Sequence, residues 1–199
     1  MNSRMLQAFL RNARLVCAGA ACTLLFNVGS LHAANAVAIS LNVAKGQTAT
    51  KRDSSTDSKT GTKTDTSTNE MFYTLSLLNP GNAPLTGLSV EYHIYNRNSD
   101  TVDGKITTAV DDISGTETLD LAPHAKKDIE TTHAPHKDST ITPGPKKGVQ
   151  KTGAQETHRQ TVLGIIIVIK QGNQQIKKYE DPDGLRDQVD KLMGKNSAF

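Results

Sequence analysis

Tryptophan is absent from this chain, and only four tyrosines and four phenylalanines occur in 199 residues. A carbohydrate platform built on stacked indoles is therefore excluded. Cysteine is almost absent too: Cys17 and Cys22 are the two present, and both lie near the N-terminus. No cysteine follows Cys22, so the body of the chain has neither a disulfide framework nor a thiol nucleophile. A net charge is missing as well. The formal +3 is carried by Arg4, Arg11 and Arg14, and without them 20 Lys+Arg face 20 Asp+Glu. The basic isoelectric point consequently gives no argument for nucleic acid or an anionic membrane. A Gly-rich phosphate loop, a nucleophile elbow and a paired-glutamate acid/base motif are also lacking, and no Ser, His and Asp share a spacing that suggests a triad. No catalytic residue, metal site or cofactor is expected.

What the N-terminus does contain is ordered like an export signal. Positive Arg4, Arg11 and Arg14 precede an apolar stretch from Leu15 to Val28, and small residues end at Ala34-Asn35-Ala36. That succession reads as a secretory signal peptide over residues 1–36, cut best after Ala36, with Ala34 as the alternative. Two other readings fit the residues less well. A retained anchor needs roughly 20 firmly apolar residues, and Asn27, Ser30 and His32 interrupt this one. A lipid anchor on Cys22 follows Gly19-Ala20-Ala21 but lacks the aliphatic residue three positions earlier. The expected localisation is periplasm, outer surface or extracellular, with no membrane span left after cleavage.

From Val37 onward the pattern is that of strands. Val37, Ile39, Leu41 and Val43 alternate with small or polar residues, the period of a half-buried strand. Residues 45–69 are Thr, Ser, Lys and Asp with almost nothing large and apolar, which predicts a long flexible loop. Tyr73, Leu75 and Leu77 share a face and run into the turn Asn79-Pro80-Gly81-Asn82. Leu88 to Tyr95 is the clearest alternation: Leu88, Val90, Tyr92 and Ile94 inward, Ser89, Glu91, His93 and Tyr95 outward. A turn is expected over Asn96 to Asp100, then short strands at 105–110, 116–121 and 127–132. Residues 133–160, polar and containing Pro143-Gly144-Pro145, predict a second flexible loop. Thr161 to Ile169 is continuously apolar and β-branched, a central strand covered on both faces. Gln171-Gly172-Asn173 turns it into Ile176 to Tyr179. Leu185, Val189 and Leu192 then recur at helical spacing, with Asp183 as the expected cap.

Short strands, no interior helix and one β-branched central strand predict an all-β fold: a single immunoglobulin-like antiparallel β-sandwich over residues 37–199, with two long polar loops and a short C-terminal helix. The stretches Asn79 to Leu85, Val90 to Ile94, Leu119 to Pro123, Gly164 to Lys170 with Gly172, and Asp181-Pro182 resemble small exported immunoglobulin-like proteins of verrucomicrobial bacteria, the pilus-associated ones of Akkermansia among them. The resemblance implies a shared fold and a pilus-associated role. A polymerising pilin-type leader would put a glutamate near the mature N-terminus, whereas no glutamate precedes Glu70.

The remaining candidates are few. His133-Ala134-Pro135-His136, with His124 and His158, has metal-like residues, but Pro135 forbids regular helix and the solvated-loop reading is preferred. Asp111-Asp112 and Asp181-Pro182-Asp183-Gly184 lack the spacing of a calcium loop and read as turns or caps. Outward His93 and Tyr95, with Tyr179 near the sheet end, are the candidate ligand contacts for a glycan. Phe199, though terminal as in outer-membrane barrels, follows a polar helix rather than an amphipathic strand. The function expected is a non-catalytic envelope or surface protein. It would act in adhesion or assembly through sheet edges or loops, on an envelope partner or on itself. The alternative is a soluble exported glycan- or ligand-binding module.

Overall fold

The structure, a computed structural model, describes residues 38–144 and 154–194. The chain divides into two units, Met1–Val37 and Ala38–Phe199. The signal reading, the Cys22 alternative and Phe199 lie outside the described residues.

Among the described residues nine strands and one helix follow in order: β1 Ser40–Gln47, β2 Lys51–Thr56, β3 Lys63–Leu78, β4 Leu85–Val102, β5 Lys105–Leu121, β6 Lys126–Glu130, β7 Ala134–Thr142, β8 Glu156–Gln171, β9 Gln174–Asp181 and α1 Leu185–Leu192. All pairings are antiparallel. The fold is all-β and sandwich-like, with an open sheet and one short C-terminal helix. No helix among the described residues is long and apolar enough to cross a membrane.

The sandwich occupies one end. There β3 pairs with β1 and β6 through residues 71–78, and β8 pairs with β4 and β9 through residues 165–171. Tyr73, Leu75 and Leu77 from the first group are sealed in, as are Val90, Ile94, Ile165, Ile167 and Ile169 from the second. Period 2 explains which residues these are: alternate positions point inward, and each group covers the inner face of the other. Two polar contacts fasten the layers. The Tyr92 hydroxyl accepts from Thr132 N at 3.0 Å, and Lys177 Nζ donates to the Ile39 carbonyl at 3.1 Å. Burial pushes the Tyr73 phenol up to about 12. Gly115 is needed where β5 passes under Tyr92, because an added Cβ would run into the Tyr92 ring.

The other end overturns both loop expectations. Residues 51–56 and 63–70 are strands, as are 134–142 and 156–160. They lie beside the far ends of β4 and β5 in the row β2-β3-β7-β8-β4-β5, an arm of six strands. Only residues 145–153 of the second expected loop lie outside the described residues. The expected turn at Asn96 to Asp100 is likewise strand; β4 continues to Val102 and reverses at Asp103-Gly104, both with positive φ. Apolar burial does not explain this arm: every residue of β2 is exposed, and what β3 and β7 half-bury there is mostly Thr, Ser and Asp. Threonine suits extended backbone, the ladders satisfy the amides, and cross-strand polar pairs add to them. Thr66 and Ser139 hydroxyls meet at 3.1 Å, and Ser54 donates to Asp65 at 2.6 Å. Asp57 shapes the tip by accepting from Lys59 N and Thr60 Oγ1, both at 2.8 Å, which holds its carboxyl below the usual carboxylate range.

Candidate functional site

Alternation along β4 puts His93 and Tyr95 on the outer face, and they do lie side by side there, ring centroids 6.3 Å apart. Yet Tyr95 is not available to a ligand. It is only 3% exposed, because α1 lies over it and packs Leu185 and Val189 on Tyr95 and Ile166. The apolar stripe read from the helix requires a surface to cover, and that surface is the outer face assigned to solvent. Arg186 Nη1 donates to the Tyr95 hydroxyl at 3.1 Å, and burial raises its pKa. His93 Nδ1 is engaged with both Asp112 carboxylate oxygens at 3.0 and 2.9 Å. Leu192, expected in the apolar stripe, is 37% exposed. Asp183 does not cap the helix either. Gly184 occupies that position in the left-handed region with no side-chain cap, and Glu180 accepts from Arg186 N at 2.8 Å instead. That bond holds the Glu180 carboxyl low.

The histidines are spread out along the sheet. His133 bridges Glu70 at 2.9 Å and Glu130 at 3.1 Å and stacks on Phe72; the Glu70 bond, then the Glu130 bond, raise its pKa. His158 meets Asp100 at 2.9 Å, and His124 meets Asn82 at 2.9 Å. Among the described residues no group of three His, Cys, Asp or Glu is arranged to hold a metal ion. Of the two aspartate stretches, Asp111 accepts from Asn98 at 2.6 Å and Asp112 is held by His93.

Where the arm leaves the sandwich there is a hollow of 430 Å³ lined by Thr48, Lys51, Glu70, His136 and Lys137 among others. Asn69 lines it and also a neighbouring hollow of 230 Å³. The buried side-chain oxygen of Asn69 has no hydrogen-bond partner, and neither do those of Asn96 and Asn98, which lie outside these hollows. The lining of the larger hollow mixes amide, hydroxyl, ammonium, carboxylate and the His136 imidazole, with no Tyr, Phe or Trp.

The more extensive feature is the edge of the sheet. β5, 17 residues long, pairs with β4 alone. Among the described residues its opposite side therefore presents a row of backbone donors and acceptors with no strand beside it. Lys105 through Ala109 are all exposed, and Ile106, at 71%, is the most exposed large apolar residue described. The sequence pattern gives two short strands, 105–110 and 116–121, where the structure has the single β5. The Asp-Gly pair at 103–104 was the signal that would have joined β4 to it.

No family model and no curated protein matches this chain. A solved structure described as "X-ray structure of Northeast Structural Genomics Consortium target SoR45" is similar at 12% identity over 68% of this chain and 89% of that one, with a TM-score of 0.22. A likeness that shallow carries neither a fold assignment nor a function.

Proposed function

We propose that this chain is a non-catalytic, exported envelope or surface protein that acts in adhesion or assembly through the open edge of its sheet. The observation that supports this most is β5, a long strand with one side unpaired, most exposed where Ile106 projects. Strand addition at such an edge gains main-chain hydrogen bonds from backbone groups already held in line. The export part of the proposal comes from the residue order of the N-terminus. A glycan-binding role has less to stand on, since Tyr95 is covered and the hollow at the base of the arm is lined by no Tyr, Phe or Trp.

The test is a photoreactive residue placed at Ile106 in intact cells, with a second at exposed Lys191 on α1 as control. The expected result is a recurrent protein adduct from position 106 and none from position 191. A chain recovered as free monomer in the soluble exported fraction, without adducts from any edge position, would sink the proposal.

A further inference from the structure

We infer that the strand partner of β5 is β5 of a second copy, paired antiparallel about a two-fold axis through Thr108. This rests on the edge reading above and narrows it to one occupant and one register. Two antiparallel edge strands of identical chains are related by an axis normal to the sheet. Such an axis preserves faces and passes through a residue that opposes itself. The centre therefore has to be one residue of β5, and the sequence of β5 discriminates among centres.

With Thr108 on the axis, Lys105 opposes the partner's Asp111 and Ile106 opposes the partner's Val110. Each pair occurs twice by symmetry, once on either side of the axis. Ile106, Thr108 and Val110 share one face, Lys105 and Asp111 the other, so charges meet charges and apolar groups meet apolar groups. Among the described residues no ion pair engages Lys105. Several other centres fare worse. An axis through Asp111 or Asp112 sets aspartate against aspartate. One through Ser114 opposes Asp111 with Glu117, and one through Ala109 opposes Ile106 with Asp112. Like charges directly opposite each other destabilise a ladder.

The surroundings fit the same register. Val110 already packs against the α1 cluster and lines a 110 Å³ hollow with Val189 and Met193, and Met193 is 40% exposed. The partner's Ile106 arrives beside Val110, next to that exposed apolar rim. The product is one continuous sheet through both copies.

The experiment uses the full chain with Cys17 and Cys22 changed to serine, so that an introduced cysteine stands alone. Cα atoms of directly opposed antiparallel residues lie about 4.5–5.5 Å apart, within disulfide range. Thr108→Cys should therefore form a disulfide-linked dimer under mild oxidation, while Ser114→Cys should not. In the cysteine-free chain, sedimentation across a concentration series should show a reversible dimer. Lys105→Asp should weaken it roughly tenfold, and Lys105→Asp with Asp111→Lys should restore it, because the exchanged charges again oppose. Trapping at Ser114 but not at Thr108, or a double swap no better than the single, overturns the register and with it the inference. A monomer at every concentration also overturns it. If the photoreactive residue at 106 still captures another protein in cells, the self-pairing fails while the surface-contact proposal survives; if it captures nothing, both fail.

Discussion

Asn79 is 1% exposed and fully engaged, which makes its replacement a sharp test of how the closed end of the sandwich is held. Its Nδ2 donates to the carbonyls of Ala83 at 2.8 Å, Ala122 at 3.1 Å and Leu121 at 3.2 Å. Its Oδ1 accepts from Gly81 N at 3.0 Å, and its own N–H donates to the Ala125 carbonyl at 3.1 Å. One side chain thus ties the β3–β4 turn to the end of β5. Asn79→Ala removes the partner of up to four backbone groups, of which the Leu121 carbonyl is the most deeply placed. Water reaches some of the others, so roughly one kcal/mol each for two to three groups, plus a small cavity, gives about 2–4 kcal/mol. For a chain of this size that is a fall of roughly 5–15 °C in melting temperature. Asn79→Asp should be worse near neutral pH, because a carboxylate would face three carbonyl oxygens with nothing to donate. It should recover on acidification, when the carboxyl gains a proton to give. The assay is thermal and urea unfolding followed by circular dichroism at two pH values. An alanine variant melting within about 2 °C of the parent would refute the reasoning, as would an aspartate variant indifferent to pH.

Two further outcomes follow from the same packing. At Gly164 an added Cβ would run into the Asp181 carbonyl and lie 2.8 Å from Pro182 Cδ and 2.9 Å from Leu185 Cδ2; Gly164→Ala should cost about 1–3 kcal/mol and loosen α1, seen as faster tryptic cleavage at Arg186 and Lys191, and an unchanged cleavage rate would count against it. His133 has a folded pKa above its usual 6.5, so its contribution to stability is fully present below that value and is lost as pH rises through the raised one. Unfolding curves of the parent should show this loss in the neutral range and those of His133→Gln should not, while a histidine proton titration at or below 6.5 would contradict it.

Much of the closed end was legible from alternation. Leu88 to Ile94 point where period 2 sends them, Ile165 to Ile169 are buried on both faces as their unbroken apolarity predicts, and Gly172 turns where expected, because burial there follows apolarity. The arm was illegible for the complementary reason. Its strands half-bury polar side chains and few apolar ones, so polarity reads as solvation, and only turn chemistry, Asp57 with Gly61 and Asp103 with Gly104, marks the reversals. Tyr95 was placed on the correct face but assigned to solvent, since periodicity within one strand does not reveal what a distant helix will cover. Asn79 was read as turn punctuation; that its amide also reaches across to β5 depends on a pairing 42 residues away.

The four longest strands, β3, β4, β5 and β8, run unbroken from the sandwich into the arm. At 18 residues β4 alone spans roughly 60 Å. Arm and body are accordingly joined by four continuous strands, with one register shift between β4 and β8 at Tyr95/Asn96. Hydrogen bonds in an antiparallel ladder lie across the strands, so tension applied at the tip along the strand direction strains many of them side by side instead of one after another. A protein made this way resists as a lap joint does, in shear, and carries load from an arm with almost no core of its own.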